Sequence, residues 1–416
     1  MITRFHVQNY KALRDVTLDL TPVHVLIGPN DSGKTSLLQA LAALCRSVEH
    51  PIASAFLGSW QGRELVSYGA SDPISLSVQF DDSELRTLDY GFECAFANKG
   101  RDPHIRKEYV MWQRSRNIDF PLFGGGTRTV VGVSVNTAVQ MQLLVAQDKL
   151  EDAACAAKEV HSSLSNYAFH RWEPRFLSLP VAPDSQRKFR MDHNGFGLAL
   201  CLDDILGFDR NRFGRLEDRF REIFPQVRAI RLMPEPAYRS PVNDPSQITV
   251  LQKADGKGIH FEFEGQSTLV PASQVSDGLL IVLAYLALLY LPEPPRVLLI
   301  EEPENGIHPG RLKEIIRILK QLVSEQSHTQ VLMTTHSPYV LHEFQPEEVT
   351  ICVREQNGEV KTRRLSDSKA VQEQMDFFSL GEIWTMEGDE ALIQPVTDEN
   401  VDDPTVTPSG EVQPAS

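Results

Sequence analysis

The segment VHVLIGPNDSGKTSLLQALAAL, residues 23 to 44, decides the fold of this chain. VHVLI is a short apolar run typical of a buried strand, and SLLQALAAL has the apolar spacing of a helix. Between them, GPNDSGKT at residues 28 to 35 matches the pattern G-x-x-x-x-G-K-[ST] at every fixed position. A glycine loop between a strand and a helix is the context in which this pattern binds phosphate. The sequence therefore predicts an α/β fold with a P-loop.

Each fixed position of the loop has a physical role in holding a triphosphate. Gly28 and Gly33 let backbone N–H groups approach the phosphates with no side chain in the way. Lys34 supplies positive charge to the β and γ phosphates, and Thr35 offers its hydroxyl to Mg²⁺. The helix that follows directs the positive end of its dipole at the anion. The expected ligands are therefore ATP and Mg²⁺.

A second motif, LLIEEPENGIHP at residues 298 to 309, carries paired carboxylates at the end of an apolar strand. Ligands of α/β sheets bind at the carboxyl ends of the strands, so this motif is expected at the same edge as the P-loop. Successive side chains of a strand point to opposite faces, which gives the two carboxylates different surroundings. We assign Glu301 to the metal and Glu302 to the general base that orients the attacking water.

Two further segments have the composition of a phosphate site. VLMTTHSP at residues 331 to 338 ends a strand pattern at His336, which can reach a γ-phosphate from there. VSDGLLIVLAYLALL places Ser276 and Gly278 at the start of an apolar helix. Ser276 is a plausible N-cap of that helix. In the alternative interpretation, its hydroxyl, the glycine backbone and the helix dipole form a second anion site for a phosphate that another subunit supplies.

The composition and charge of the chain are those of a soluble globular protein and argue against several other classes. The 416 residues are 41% hydrophobic and 23% charged, as in a soluble globular protein, and the net charge of -15 disfavours a general attraction to nucleic acid or anionic lipid. None of the five cysteines lies near another in the sequence, which argues against a disulfide framework or a zinc site. The first residues do not resemble a signal peptide, and the apolar run at 279 to 291 is too short to span a bilayer. We expect a cytoplasmic protein.

The four motifs, in this order along the chain, resemble those of ABC-type ATPase heads. The opening FHVQNYKALRDVTLDL, followed by VLIGPNDSGKTSLL, is similar to the SMC/RecF/OLD branch. The forms EEPENGIHP and THSP are similar to stand-alone AAA-type ATPases allied to OLD proteins, without a Toprim nuclease domain. The resemblance extends discontinuously over most of residues 1 to 390. It implies an α/β head with a mixed sheet, an antiparallel β subdomain and an inserted, mainly helical lobe.

On this basis the chain divides into four expected parts. They are the N-terminal part of the ATPase head with the P-loop and β subdomain (1–114), the inserted lobe (115–235), the C-terminal part of the head with the other three motifs (236–395), and a disordered acidic tail (396–416).

The resemblance also implies roles for particular residues. Two heads would sandwich ATP, with the P-loop of one facing Ser276 and Gly278 of the other, while Glu302 acts as base and His336 as switch residue. Lys11 is expected to approach the nucleotide, and Gln79 is a candidate for the glutamine that senses Mg²⁺. Residues expected to bind the nucleotide through the loop are Gly28, Pro29, Asn30, Asp31, Ser32, Gly33, Lys34, Thr35 and Ser36. The expected metal ligands are Thr35, Glu301 and Gln79.

Three functions are compatible with such a head. The first is a homodimeric or larger ATPase that controls or carries a separate effector, a nuclease or toxin, in bacterial anti-phage defence. The second is a RecF-like DNA-repair ATPase, for which residues 170 to 231, with a small excess of Lys and Arg over Asp and Glu, give weak support. The third, the nucleotide-binding subunit of a transporter, is disfavoured by the lobe and by the signature VSDGLLI, where relatives often carry a basic residue at the position of Ile281.

Overall fold

The structure is a computed structural model of the chain. The residues that it describes are 1–56, 62–70, 73–82, 86–96, 103–114, 116–118, 123–124, 128–130, 133–135, 151–239, 252–326 and 328–395. The expected tail at 396–416 lies outside the described residues.

A six-stranded sheet forms the centre of the fold, in the order β11-β15-β16-β3-β17-β18. All neighbouring pairs are parallel except the last, in which β18 runs antiparallel to β17. Because the parallel strands point the same way, their carboxyl ends share one edge, at which ligands bind in α/β sheets. The strands are β3 (Val23–Ile27), β11 (Tyr167–His170), β15 (Val297–Glu301), β16 (Gln330–Thr334), β17 (Val349–Arg354) and β18 (Val360–Arg364).

Both faces of this sheet are buried, which explains why its strands are apolar throughout. In β3, Val23, Val25 and Ile27 belong to the core on one face, whereas Leu26 belongs to the core on the other. The first core contains helices α5 to α8, and the second contains α1 and the antiparallel sheet. These helices are α1 (Lys34–Ser47), α5 (Leu198–Phe208), α6 (Arg210–Ile223), α7 (Asp277–Leu289) and α8 (Pro309–Glu325).

The apolar run at 279 to 291 is a core helix. In α7 every residue from Leu279 to Leu289 is buried. A helix that is apolar on all sides is expected either in a large core or in a membrane. Among the described residues, no helix is both long enough and apolar enough to cross a bilayer.

An antiparallel sheet in the order β2-β1-β4-β5-β6-β7 covers α1, with β8 pairing to β6. This is the β subdomain that the sequence predicts. A separate sheet of β12, β13 and β14 follows α6. The strands are β1 (Ile2–Tyr10), β2 (Leu13–Asp19), β4 (Ile74–Asp82), β5 (Arg86–Phe96), β6 (Pro103–Arg114), β7 (Arg116–Ile118), β8 (Phe123–Gly124), β9 (Arg128–Val130), β10 (Val133–Val135), β12 (Val227–Arg239), β13 (Gln252–Phe263) and β14 (Val270–Pro271). The remaining helices are α2 (Ile52–Ala55), α3 (Glu151–Leu164), α4 (Pro174–Leu177), α9 (Lys369–Gln374) and α10 (Leu380–Leu392).

The division of the chain at residues 115 and 235 stays a prediction, but one stretch of the expected lobe lies in the core. Tyr167–His170 is β11, the edge strand of the central sheet, paired in parallel with β15. The helices α5 and α6 pack in the same core as α7 and α8. The sequence did not indicate this because a strand of four residues is too short for periodicity to show and its partner lies far away in the chain.

Candidate nucleotide-binding site

A cavity of about 1350 Å³ opens beside the P-loop, at the carboxyl edge of the central sheet. The P-loop follows β3, Glu302 follows β15, and Thr334 and His336 end or follow β16. These three strands are neighbours in the sheet, so residues from three distant parts of the sequence meet there. The sequence-predicted residues that line the cavity are Lys11, Asn30, Asp31, Ser32, Gly33, Lys34, Thr35, Ser36, Glu302 and His336.

Two positions of the P-loop require glycine. Gly28 has φ of 132°, and a Cβ there would lie 2.0 Å from the carbonyl oxygen of Cys352 in β17. Gly33 has φ of 90° and precedes the first residue of α1. L-residues with side chains rarely adopt such φ values. The loop therefore packs against its own sheet and turns into α1 in a conformation that only glycine adopts without strain.

The side chain of Lys34 is buried against the P-loop. Its side chain is among the buried charged groups, and its ammonium donates to the carbonyl oxygens of Gly28 (2.9 Å) and Pro29 (2.7 Å) and to the hydroxyl of Ser32 (3.2 Å). Burial lowers the pKa of Lys34. A triphosphate would offer this ammonium stronger acceptors than the loop carbonyls do, because its oxygens are ionised.

The two glutamates leave β15 in different directions. Glu301 is the last residue of β15 and is buried, whereas Glu302 lines the cavity. Glu302 has φ of 50°, unusual for a residue with a side chain, and its N–H donates to the carbonyl oxygen of Thr334 at 3.1 Å. Strained backbone of this kind concentrates at functional sites. Glu302 lies beyond the end of β15, so this left-handed turn, and not strand alternation, gives the two glutamates different surroundings.

Lys11 approaches the cavity from the β subdomain. It occupies the turn between β1 and β2 with φ of 54°, and its ammonium donates to the side chain of Gln39 in α1. Burial lowers the pKa of Lys11 to about 8, while the Glu301 carboxylate acts in the opposite direction.

The residues present fit a Mg²⁺-nucleotide complex in part. Mg²⁺ in nucleotide sites usually has one or two protein oxygens, with phosphate and water completing the octahedron. Thr35 lines the cavity, whereas Glu301 is buried at the end of β15 and is not among the lining residues. Gln79 lies within β4, opposite Arg4 and Asp89 of neighbouring strands, and does not line the cavity. The assignment of Thr35, Glu301 and Gln79 as metal ligands stays a prediction.

His336 lies close to the assigned base. Its Nε2 is 3.7 Å from Oε1 of Glu302. Burial, followed by the charge of Lys34, lowers the pKa of His336, so the imidazole is neutral at pH 7. A neutral imidazole can donate one hydrogen bond to a phosphate oxygen without adding charge.

The structure places two further residues at the candidate site that sequence reasoning did not single out, Glu304 and Arg171. Glu304 Oε1 accepts from the Thr335 hydroxyl (2.8 Å) and from the N–H of His336 (2.7 Å), which fixes the loop carrying that histidine. Glu304 belongs to EEPENG, so its position in the motif was a usable signal. Arg171 directly follows β11, and its Nη2 is 3.1 Å from Oε2 of Glu302. No motif marks it, because only the pairing of β11 with β15 brings it there.

The segment that contains Ser276 and Gly278 lies apart from the cavity beside the P-loop. Ser276 stands at the N-cap position of α7 but makes no side-chain capping bond, and it is exposed. A cavity of about 340 Å³, distinct from the one beside the P-loop, includes Ser276 in its lining. A Cβ on Gly278 would meet no atom within 4 Å. Ile281, one turn further on, is buried, with a Cβ on Gly306 of the EEPENG loop lying 3.2 Å from its Cδ1.

Two family models match adjoining parts of the chain. The one described as AAA ATPase domain matches residues 1–167, and the one described as AAA domain, putative AbiEii toxin, Type IV TA system matches residues 164–342. The OLD nuclease of Thermus scotoductus is 21% identical over 350 residues, covering 81% of this chain and 59% of that protein. The chain thus spans less than two thirds of the length of this relative.

Heads of SMC proteins are among the similar solved structures. An SMC head bound to the C-winged helix domain of ScpA has a TM-score of 0.49 at 14% identity, covering 88% of this chain and 98% of that one. The SMC head domain from Thermotoga maritima has a TM-score of 0.43 at 12% identity, covering 87% and 98%.

The two AAA family models together run without a gap from residue 1 to residue 342. Over these residues the chain is similar to ATPases of the AAA class. Its fold class is confirmed as mixed α/β, with a P-loop at the edge of the central sheet and an antiparallel β subdomain.

Proposed function

We propose that the chain is an ATP-driven dimerisation switch. Two copies bind ATP and Mg²⁺ between their heads, with the P-loop of one facing Ser276 and Gly278 of the other, and hydrolysis separates them. The pair, or a larger homo-oligomer built from it, controls or carries a separate effector protein, a nuclease or toxin, in bacterial anti-phage defence.

The observation that carries the dimer is the separation of the two anion-binding segments within one chain. The P-loop, Glu302 and His336 share one cavity, whereas Ser276 lines another. The Ser276 hydroxyl is exposed and makes no capping bond to its own helix, and open space surrounds Gly278. A helix N-terminus with a hydroxyl and no side chain in the way is suited to bind phosphate from outside the chain. A second copy of the same chain supplies that phosphate in a symmetric pair.

Hydrolysis at this site is mainly a matter of placement and charge. Mg²⁺, held through Thr35 and Glu301, would neutralise charge on the β and γ phosphates. Lys34 binds the phosphates, Glu302 accepts a hydrogen bond from the attacking water, and His336 donates to the γ-phosphate. Glu304 accepts a hydrogen bond from the N–H of His336 and would hold that loop in place.

The sandwich can be tested by mixing two inactive variants. Lys34→Ala removes the P-loop charge, and Ser276→Arg fills the opposite segment, so each variant alone should lose hydrolysis. In a mixed dimer one of the two sites pairs an intact P-loop with an intact Ser276 segment. The mixture should regain about a quarter of wild-type ATPase activity if the subunits exchange freely. Ser324→Arg, at an exposed serine of α8, is the matched control and should stay fully active.

Two outcomes contradict the sandwich. One is wild-type hydrolysis by Ser276→Arg alone. The other is a mixture that remains as inactive as its components although the two chains co-purify.

The proposed link to an effector rests on the relatives. One matching family model carries the words putative AbiEii toxin, and the matched OLD protein is a nuclease that is longer than this chain. The test is to express the chain with its neighbouring genes in a bacterial host and to measure phage plaques. Protection that disappears with Glu302→Gln and with deletion of a neighbouring nuclease or toxin gene supports the proposal. Protection by the chain alone contradicts a separate effector.

A RecF-like role in DNA repair is the second candidate, and one structural observation weighs against it. Many of the arginines between residues 170 and 231 form ion pairs within the chain and so do not present a free basic surface. These are Arg171, Arg175, Arg187, Arg219, Arg221, Arg228 and Arg231. Stimulation of the ATPase by DNA, falling steeply with salt, would favour the repair role instead.

A further inference from the structure

The ion pair between Arg171 and Glu302 is the feature of the site that the proposed chemistry leaves unexplained. Nη2 of Arg171 donates to Oε2 of Glu302 at 3.1 Å, across 131 residues of sequence. The other carboxylate oxygen, Oε1, lies 3.7 Å from Nε2 of His336. In this form the assigned base therefore has a cationic or polar donor beside each oxygen. An oxygen that accepts from a guanidinium has less capacity to accept from a water molecule.

The backbone of Arg171 is held more firmly than its side chain. Its N–H donates to the carbonyl oxygen of His193 at 2.8 Å, and β11 just before it pairs with β15. The side chain, in contrast, is half exposed, and that of Glu302 is 29% exposed. A fixed backbone with a long, solvated side chain allows the guanidinium to change partner while its origin stays in place.

Arginine is well suited to such a change of partner. Its guanidinium binds carboxylate and phosphate with the same planar donor geometry, and phosphate offers more charge and more acceptor oxygens. Glu302 and His336 both line the cavity beside the P-loop, and the Arg171 guanidinium contacts the Glu302 carboxylate, so a γ-phosphate bound beside Glu302 would come within reach of the Arg171 side chain. The phosphate would then compete with Glu302 for the guanidinium.

We propose that Arg171 senses the γ-phosphate: it pairs with Glu302 in the nucleotide-free head and transfers its hydrogen bonds to the terminal phosphate of a bound nucleoside triphosphate. The transfer leaves Oε2 of Glu302 available for the attacking water. ADP lacks the terminal phosphate, so the Arg171–Glu302 pair forms again after hydrolysis. This inference rests on the proposed ATP site.

A double-mutant cycle in nucleotide affinity tests the exchange. The wild type, Arg171→Ala, Glu302→Ala and the double variant are titrated calorimetrically with AMPPNP, a non-hydrolysable ATP analogue, and separately with ADP, both with Mg²⁺. Arg171→Ala should weaken AMPPNP about tenfold, as expected for losing a hydrogen bond to a charged group, and leave ADP unchanged. Glu302→Ala should tighten AMPPNP severalfold, because the competitor for Arg171 is gone.

The decisive comparison is the same Glu302→Ala change made without Arg171. The gain in AMPPNP affinity should then shrink, since only the general repulsion between carboxylate and phosphate remains to be relieved. An equal gain in both backgrounds, or an unchanged ratio of AMPPNP to ADP affinity in Arg171→Ala, overturns the proposal. Arg171→Lys should recover part of the selectivity for AMPPNP, which a purely structural role would not predict.

Matched controls separate this failure from failure of the ATP site. Arg175→Ala removes a nearby, more exposed arginine that pairs with Glu173, and should leave both affinities unchanged. Lys34→Ala should lose both nucleotides. If Lys34→Ala binds them normally, the ATP site itself is misplaced. If Lys34→Ala fails to bind while Arg171→Ala behaves as wild type, only the sensor is wrong.

Discussion

The P-loop at residues 28–36 and the signature segment at 276–278 are both glycine-containing helix starts, yet their surroundings differ. The N-cap of the first helix is Gly33, which has no side chain, and the N-cap of the second is Ser276, whose hydroxyl makes no capping bond. The P-loop is packed against its own sheet, and Lys34 donates to the carbonyl oxygens of its own loop. The signature segment is exposed and lines a cavity of its own. A pattern of residues thus predicts a tendency to bind anions, while the surroundings decide whether the segment is packed against its own sheet or open to solvent.

The largest expected effect comes from removing the P-loop charge. Lys34→Ala should abolish detectable ATP binding and hydrolysis, because no other described ammonium donates to the carbonyl oxygens of the loop. Binding is measured by calorimetry and hydrolysis by phosphate release. Lys361→Ala, at an exposed lysine of β18, is the control and should behave as wild type. Normal ATP binding by Lys34→Ala would show that the P-loop is not the binding site.

The next effect separates binding from hydrolysis. Glu302→Gln keeps the shape of the side chain but removes its capacity as a base, so kcat should fall by about 10²- to 10⁴-fold while ATP is retained. Light scattering should then show a dimer that persists in ATP. Glu373→Gln, on the exposed surface of α9, is the control for general loss of a carboxylate. Hydrolysis at the normal rate by Glu302→Gln would make the base assignment wrong.

The same glycine-to-alanine change should have opposite effects in the two regions. Gly28→Ala places a Cβ against the Cys352 carbonyl oxygen at a positive φ, so it should destabilise the protein by about 2–4 kcal/mol. Gly278 lies in a helix with open space around it, so alanine there should stabilise by about 0.5–1 kcal/mol. Urea denaturation measures both changes. Equal changes in the free energy of unfolding would contradict the difference in packing between the two glycines.

The smallest expected effect is a pH dependence of ATP affinity that arises from Lys11. The pKa of Lys11 is lowered to about 8, so its ammonium is charged at pH 7 and loses its proton as the pH rises through the folded value. Bound phosphate favours the charged form and moves this loss upward. ATP affinity should therefore fall by about threefold to tenfold between about pH 7 and about pH 9.5. In Lys11→Arg, which stays charged, the fall should be smaller, and what remains comes from Lys34, whose pKa burial also lowers. A calorimetric pH series that gives parallel curves for both proteins contradicts a role for Lys11.

Local sequence was sufficient wherever a run of residues carries its own pattern. The strand of residues 23–27, the helix after the P-loop and the core helix α7 all lie where apolar spacing predicts them. It was insufficient for β11, which has four residues. The metal-sensing role of Gln79 stays a prediction, and the structure places this residue within a strand of the β subdomain. Short strands owe their place to hydrogen bonds with a distant partner, and a residue type alone does not give its position.

The sequence by itself determined the P-loop, the pair Glu301–Glu302 at the end of a strand, the place of His336 after a strand and the α/β class, because each depends on a few adjacent residues whose chemistry and backbone preference are local. Only the tertiary structure decided that Arg171 pairs with Glu302, that Glu304 holds the His336 loop, and that Ser276 lies apart from the P-loop. The physical reason is that parallel strands gather their carboxyl ends from segments far apart in the chain. Which side chains meet at that edge depends on the order of strands in the sheet, and that order is set by packing of the whole domain.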